Sequence, residues 1–484
     1  MKKLLALTLS LLLLTGLSGC STAIDDKSTS TPSATADSSL VIDGSTDIEL
    51  GDEDMYITNA GTYTLSGELK GSVIVDVSEK KTVNLILDNV TIDSGDFAAI
   101  YVIEAEEVVI TLADGSVNTL SDSGETYTLI DENDVDALIY SKADLSFEGN
   151  GTLVLNAGYK HGIVSKDDLI LNGGTYEITA ANHAIEGKDC VEIYDGSYTL
   201  TSGTDAISSD NEEDADRGYV LIHNGSFKIN SASDGIYAFN YLTIEDGEFE
   251  LTTTGKAIKS DTQITLNNGT YTIDSADDGI HTDGSITIED GSYTIDSDDD
   301  AIHADYMLTI NGGTFNINAH EGLEATVVTV NGGDININAS DDGINAGAKV
   351  SGVTPLVEIN DGNLTINMGQ GDTDAIDSNG NLIINGGTIT ITAQSGFDFD
   401  GTGELNGGTV TVNGTQITSL TNQMMGGMGG MGTMPGGMSG NTGMTPGSMP
   451  QGGASGEQGQ IPSGQQGGQR PDGYGGFPGQ GGWH

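Results

Sequence analysis

The sequence predicts an all-β fold: a right-handed, single-stranded parallel β-helix with three short strands per coil of about 22 residues. Three observations predict it. "YTIDSADDGIHTD" at 271–283 returns 22 residues later as "YTIDSDDDAIHAD" at 293–305. The first apolar residues of successive units (Leu145, Leu169, Val191, Val220, Leu242, Ile264, Ile286, Leu308, Val328, Val357, Leu382) recur at intervals of 20 to 29 residues. Within a unit, alternation puts Leu308, Ile310, Phe315, Ile317 and Leu323 on one side and Thr309, Asn316 and Glu324 on the other.

Each unit carries an "LTI" strand, an Asn/Asp-Gly turn, a "TFNIN" strand, a polar corner and a short "GLEA" strand. A leucine-rich repeat needs a Leu-x-x-Leu-x-Leu frame and a helical segment, and neither is present. Equal unit lengths favour stacking of like on like over a run of hairpins. Consecutive coils are then expected about 4.8 Å apart, the spacing of paired strands.

Ahead of the repeats, "MKKLLALTLSLLLLTGLSGC" has a Lys2–Lys3 start and a leucine-rich run, the pattern of a signal peptide over 1–19. Leu17-Ser18-Gly19-Cys20 resembles a bacterial lipobox, which implies cleavage before Cys20 and its lipidation. The expected location is therefore the outer face of a bacterial membrane. Residues 20–39 read as a Ser/Thr-rich tether, 40–82 as an N-terminal cap that blunts the open edge, and 83–420 as the β-helix. Residues 421–484 read as a disordered Gly/Met/Gln/Pro tail that holds six of the eight prolines. Its Met425, Met428, Met431 and Met434 recur every three residues and read as spacer, not as thioether ligands for copper. With Cys20 acylated, Cys190 has no disulfide partner.

Stacking turns sequence repeats into columns. Tyr176, Tyr198, Phe227, Phe249, Tyr271, Tyr293 and Phe315 share parity with inward residues and are expected to fill the core. The lone tryptophan, Trp483, lies in the tail, so no indole platform for sugar is expected in the body. A second column is acidic: Asp205, Asp234, Asp278, Asp300, Glu321, Asp342 and Asp374, with Asp277, Asp299 and Asp341 one position earlier. Unit charges about 4.8 Å apart repel by about 0.9 kcal/mol in bulk water and about 3.5 kcal/mol at an effective dielectric near 20. A cation relieves that repulsion. Ca²⁺–oxygen distances of about 2.4 Å are half the coil spacing, so the column is a candidate calcium-binding set. Asp210, Asp261, Asp283 and Asp305 are candidate additional ligands. The alternative reading is turn geometry, which Asp favours at tight corners.

Lys256 takes the acid's place in one coil and Lys259 takes the position of His281. Both relieve charge in the ladder and are the candidates for a lysine base if the protein is an enzyme. Zinc is disfavoured at His281 and His303 because no Cys joins them. Two longer units carry extra residues after the same strand, at 209–219 and 346–356. They are six coils, about 29 Å, apart. Between them Tyr237, Lys259, His281, His303, Glu324 and Asn345 form an expected carbohydrate-binding floor for an extended polymer.

The net charge of −56 excludes nucleic acid, which needs a basic footprint, and points to cations or to an anionic ligand reached through a cation. "VNLILDNVTID", "VVITLADGSVNTL", "HGIVSKDDLILNGGTYEIT" and "DTDAIDSNGNLIINGGTITI" resemble the carbohydrate-binding parallel β-helix proteins of clostridial cell surfaces, over about 83–412. That resemblance implies binding of cellulose or polygalacturonate, calcium sites, and a fold related to pectate lyases. The leading expectation is a calcium-assisted polysaccharide-binding lipoprotein. A calcium-dependent pectate lyase using Lys256 or Lys259 is the enzymatic alternative. A structural stalk presenting Thr243, Thr265, Thr287, Thr309 and Thr329 is a third. Gly396 to Gly401, "GFDFDG", is expected to close the last coil.

Overall fold

The computed structural model describes residues 40–42, 46–370 and 373–422. The signal segment, Cys20, the tether and nearly all of the tail lie outside the described residues. The described chain contains strands and no helix, and forms a right-handed parallel β-helix of about 16 turns.

One coil shows how the sequence specifies the rest. Tyr241–Ile244, Glu248–Thr253 and Ile258–Ser260 pair in parallel with Gln263–Leu266, Thr270–Ser275 and Ile280–Thr282. Leu242 meets Ile264, Phe249 meets Tyr271, and Ile258 meets Ile280. The longest strand alternates exposed and buried at every residue, as a strand with one face in the core must. Most inward side chains are Leu, Ile, Val, Phe, Tyr or small residues, and those of successive coils form one continuous core. A one-residue slip would turn that entire set to solvent, so the register is strongly specified.

The helix starts earlier than the regular sequence repeat. The segment 40–82, expected to be a cap, is itself built of parallel strands. Leu40–Ile42 pairs with Met55–Ile57, and Thr46–Glu49 pairs with Gly61–Lys70. At the other end Thr409–Val412 turns back through Asn413 and Gly414 into Thr415–Ile417, the one antiparallel pair among the described strands. Both turn residues have positive φ (50° and 76°), the Asn-Gly hairpin geometry. This hairpin, after the "GFDFDG" phrase, ends the parallel ladder. Within that phrase Phe397 is buried in the core.

The aromatic column is internal, as expected. From Tyr176 to Phe315 the seven rings stack at 4.6–4.8 Å with interplanar angles of 0–6°. The glycine two residues ahead of each ring makes this possible. Gly269 has φ +125°, and a Cβ there would lie 2.9 Å from the Tyr271 ring. The ring tucks beneath its own turn, and the Tyr271 hydroxyl donates to the Asn268 carbonyl at 2.8 Å. Gly115 has φ +74° with nothing within 4 Å of a built Cβ. Gly115→Ala is therefore expected to destabilise by backbone strain alone, about 1–2 kcal/mol. Gly269→Ala adds about 1–3 kcal/mol for the displaced ring. Denaturant unfolding of the two variants checks this; equal losses contradict the packing role.

Candidate functional site

The third strand of each coil opens on a fixed frame. Two residues before its first Ile or Leu is a corner position, and one residue after it is an outward position. The outward positions are in direct register: Glu186, Ser208, Tyr237, Lys259, His281, His303, Glu324, Asn345 and Asp377 follow one another coil by coil. All six residues expected to floor a polymer site, Tyr237 to Asn345, thus lie in one unbroken column. They are half-buried, and Glu324 is buried.

Inserted segments cover parts of this strip. Loop 210–218 is pinned by Arg217, which pairs with Asp189 and lies 3.3 Å from Asp168 Oδ1. From the loop at 347–355, Lys349 Nζ reaches Glu324 Oε2 at 2.9 Å. Upstream the same outward column is apolar: Tyr101, Tyr140 and Val164. Residues of the segment 122–136, Tyr127 and Val135 among them, pack over it as a second small hydrophobic cluster.

The acidic corner column has a structural role that its spacing alone did not reveal. Four of these acids cap the next coil. Asp205 Oδ1 accepts the Asp234 N–H at 2.9 Å, and Asp234 Oδ1 accepts the Lys256 N–H at 2.8 Å. Asp278 accepts that of Asp300 at 3.1 Å, and Asp342 that of Asp374 at 3.0 Å. A corner N–H has no strand partner, and a carboxylate one coil away satisfies it.

In the middle coils the second oxygen is also occupied. Lys259 Nζ lies 3.6 Å from Asp234 Oδ2 and 4.9 Å over the Tyr237 ring. Asp278 Oδ2 is 2.7 Å from His281 Nδ1 and 3.5 Å from Lys256 Nζ. Asp300 Oδ2 is 3.0 Å from His303 Nδ1. Burial works to raise the Asp278 carboxyl, but His281, Lys256 and His303 together hold it below its ordinary value. Asp277 pairs with Lys256 at 2.7 Å, and Asp299 is exposed. The outlying acids are engaged as well: Asp210 with Lys188, Asp261 with Tyr237, Asp283 with His281 and Asp305 with His303. The oxygens of Asp234, Asp278 and Asp300 are thus engaged by the next coil or by protein cations. The donors there are already matched to protein cations.

Lys256 is paired to Asp277 and Asp278 in the same way. Although burial works against its charge, the hydrogen bond and charge of Asp277, with Asp278, hold its ammonium above the ordinary lysine value. A base needs the neutral amine at working pH.

The C-terminal coils are different. No Lys, Arg or His nitrogen lies within 4.0 Å of Glu321, Asp341, Asp342 or Asp377 among the described ion pairs. Burial, then the charges of Glu324, Asp300 and Asp342, push the Glu321 carboxyl up to about 8, against a hydrogen bond from Asn345. Burial with Asp377, Asp341 and Asp374 pushes Asp342 to about 7. Asp377 rises to about 6 through burial and the charges of Asp398 and Asp374. These crowded hard oxygens suit Ca²⁺.

The frame also extends upstream, where the sequence alignment of columns stopped at Asp205. His161 and His183 occupy the corner position in "HGI" and "HAI", and Glu186 is the outward residue of the second. The repeated small residue before Ile was the signal that could have found them. The two imidazoles stack at 4.9 Å and 14°. Burial holds His161 below the ordinary histidine value.

Above pH 6.5 the raised carboxyls set the pH dependence of stability. Glu321 and Asp342 bind protons in the folded chain that the unfolded chain has already lost, so stability falls as pH rises through about 7–8. His303, raised by Asp300 and Glu324 against its burial, acts in the same direction. His161, lowered by its burial, acts oppositely as pH rises through the ordinary histidine range, and that contribution fades above it. In chelator the thermal midpoint is expected to fall between pH 6.5 and 8.5, with a shallower slope in Glu321→Gln. A midpoint that holds or rises across this window contradicts the assignment.

A family model described as carbohydrate-binding domain-containing protein matches residues 51–321 and again 282–373. A carbohydrate-binding domain-containing protein of Acetivibrio thermocellus is 38% identical over 136 residues, 28% of this chain and 47% of that relative. The chain thus spans about half the length of the curated relative it matches. A solved structure, described as the polysaccharide lyase-like protein from C. thermocellum in a gadolinium derivative, is 31% identical. That alignment covers 49% of this chain and 87% of the other, with a TM-score of 0.40. The family matches together span more than half of the sequence, and the chain belongs to the carbohydrate-binding domain family.

Proposed function

We propose that the protein is a cell-surface lipoprotein, anchored through Cys20, whose β-helix binds an extended polysaccharide with the help of calcium. The observation that carries this reading is the unbroken outward column from Tyr237 to Asn345, flanked by the two inserted loops. It offers an aromatic ring, cationic nitrogens, a carboxylate and an amide in one line. That mixture suits the hydroxyls and carboxylates of a sugar polymer.

Net charge decides how such a polymer is approached. A chain of −56 repels a uronan unless cations intervene. Glu321, Asp341, Asp342, Asp374 and Asp377 would hold that calcium, and the bound cation would supply a positive point beside the strip. An acidic, polygalacturonate-like polymer is the first candidate and a cellulosic one the second. A neutral glucan needs the strip but not the cation.

Titration calorimetry with polygalacturonate tests the reading. Binding is expected in calcium and lost in EDTA. Tyr237→Ala is expected to weaken it about tenfold, or about 1.4 kcal/mol. Equal binding in calcium and EDTA contradicts the cation bridge. Unchanged binding in Tyr237→Ala removes the polymer from the strip.

A further inference from the structure

The strongest unassigned feature is the corner cluster at His161, His183 and Glu186, on coils that precede the polymer strip. It shares no residue with the column from Tyr237 to Asn345. One nitrogen of each imidazole and one oxygen of Glu186 come within 4.8 Å of one another. His161 Nδ1 and Glu186 Oε2 are 3.3 Å apart. Two donors on one tetrahedral zinc ion are separated by about 3.3 Å, given metal–ligand distances near 2.0–2.1 Å.

An orphaned atom points to a missing ligand. His161 is 8% exposed, and its Nδ1 is fully buried with no hydrogen-bond partner despite its approach to Glu186. Asp136 Oδ1, on the far side of the same ring, is also buried without a partner. Buried polar atoms left unmatched are rare in folded proteins and call for an explanation. A cation bridging His161 and Glu186 accounts for the first. A metal-bound imidazole also turns its other N–H toward a carboxylate. Asp136 Oδ2 is 3.7 Å from His161 Nε2, in the position of that outer partner.

The remaining contacts fit a three-ligand site. Lys166 Nζ holds Glu186 Oε1 at 3.2 Å, which leaves Oε2 facing His161. Lys160 Nζ holds Asp136 at 3.3 Å. His183 Nδ1 is 3.2 Å from Thr204 Oγ1, 3.3 Å from the Asp205 carbonyl and 3.6 Å from Asp205 Oδ2. At His281 and His303, by contrast, carboxylates lie 2.7 and 3.0 Å from Nδ1.

We propose that His161, His183 and Glu186 form a site for a divalent transition metal of the zinc class, separate from the calcium-type carboxylates of the C-terminal coils. Two imidazoles and one carboxylate suit zinc, whereas calcium takes oxygen ligands. The remaining coordination positions are open to water or to an anionic group.

Cobalt titration of the full chain, stripped with chelator and kept in calcium, tests the site through the visible bands of tetrahedral Co²⁺. One equivalent is expected to bring up the bands, and Zn²⁺ to bleach them. His161→Ala is expected to weaken cobalt binding at least tenfold, and the double variant His281→Ala/His303→Ala to bind like the parent. If His161→Ala does not fold, His183→Asn, at a more exposed corner, takes its place, with strand content followed by circular dichroism. Absent bands in the parent chain overturn the proposal. So do bands that persist in His161→Ala or His183→Asn, or that vanish only in the double variant.

Discussion

Everything in this molecule depends on in-register parallel hydrogen bonding between successive coils. That pairing places each residue over its equivalent about 4.8 Å away. It turns an inward aromatic into a stack of rings and an inward Ile into a continuous core. It also sets like charges above one another, which the chain must then offset. The acid corner shows how this is managed. Asp205, Asp234, Asp278 and Asp342 are each positioned by a coil neighbour that needs an oxygen, so charge repeats there because the backbone repeats.

The strip beside that corner changes character along the helix axis. Upstream it is Tyr101, Tyr140 and Val164 beneath a packed segment. In the middle, Lys256, Lys259, His281 and His303 are interleaved with the acids. Downstream, Glu321, Asp342 and Asp377 have no such partner within 4.0 Å among the described ion pairs and are the carboxyls lifted to about 8, 7 and 6. One repeated frame therefore supplies an apolar end, a compensated centre and an acid-rich end. The proposed polymer site spans the centre and reaches the acid-rich end.

Much of this was legible in the sequence. The constant spacing from Tyr271 to Tyr293 and from His281 to His303 fixed the register of the central coils and the membership of the strip. Three things were not legible. The direction of each carboxylate was hidden, because spacing cannot say whether Asp278 points to a metal, a histidine or the next N–H. The N-terminal coils were hidden because their offsets are irregular, from 15 residues between Leu40 and Met55 to 27 between Val73 and Ile100. The His161–His183 corner was hidden because the alignment followed the acid and not the Gly/Ala-Ile frame that carries it.

The proposed calcium site lies at the acid-rich end of the corner column and not in its compensated centre. Calorimetric titration of calcium at pH 8 into Asp342→Asn and Asp234→Asn separates the two most directly. Asparagine keeps the Oδ1 acceptor for the next coil and removes only the charge. Calcium binding is expected to fall in Asp342→Asn and to stay intact in Asp234→Asn. Equal losses in both variants, or a loss confined to Asp234→Asn, would contradict it.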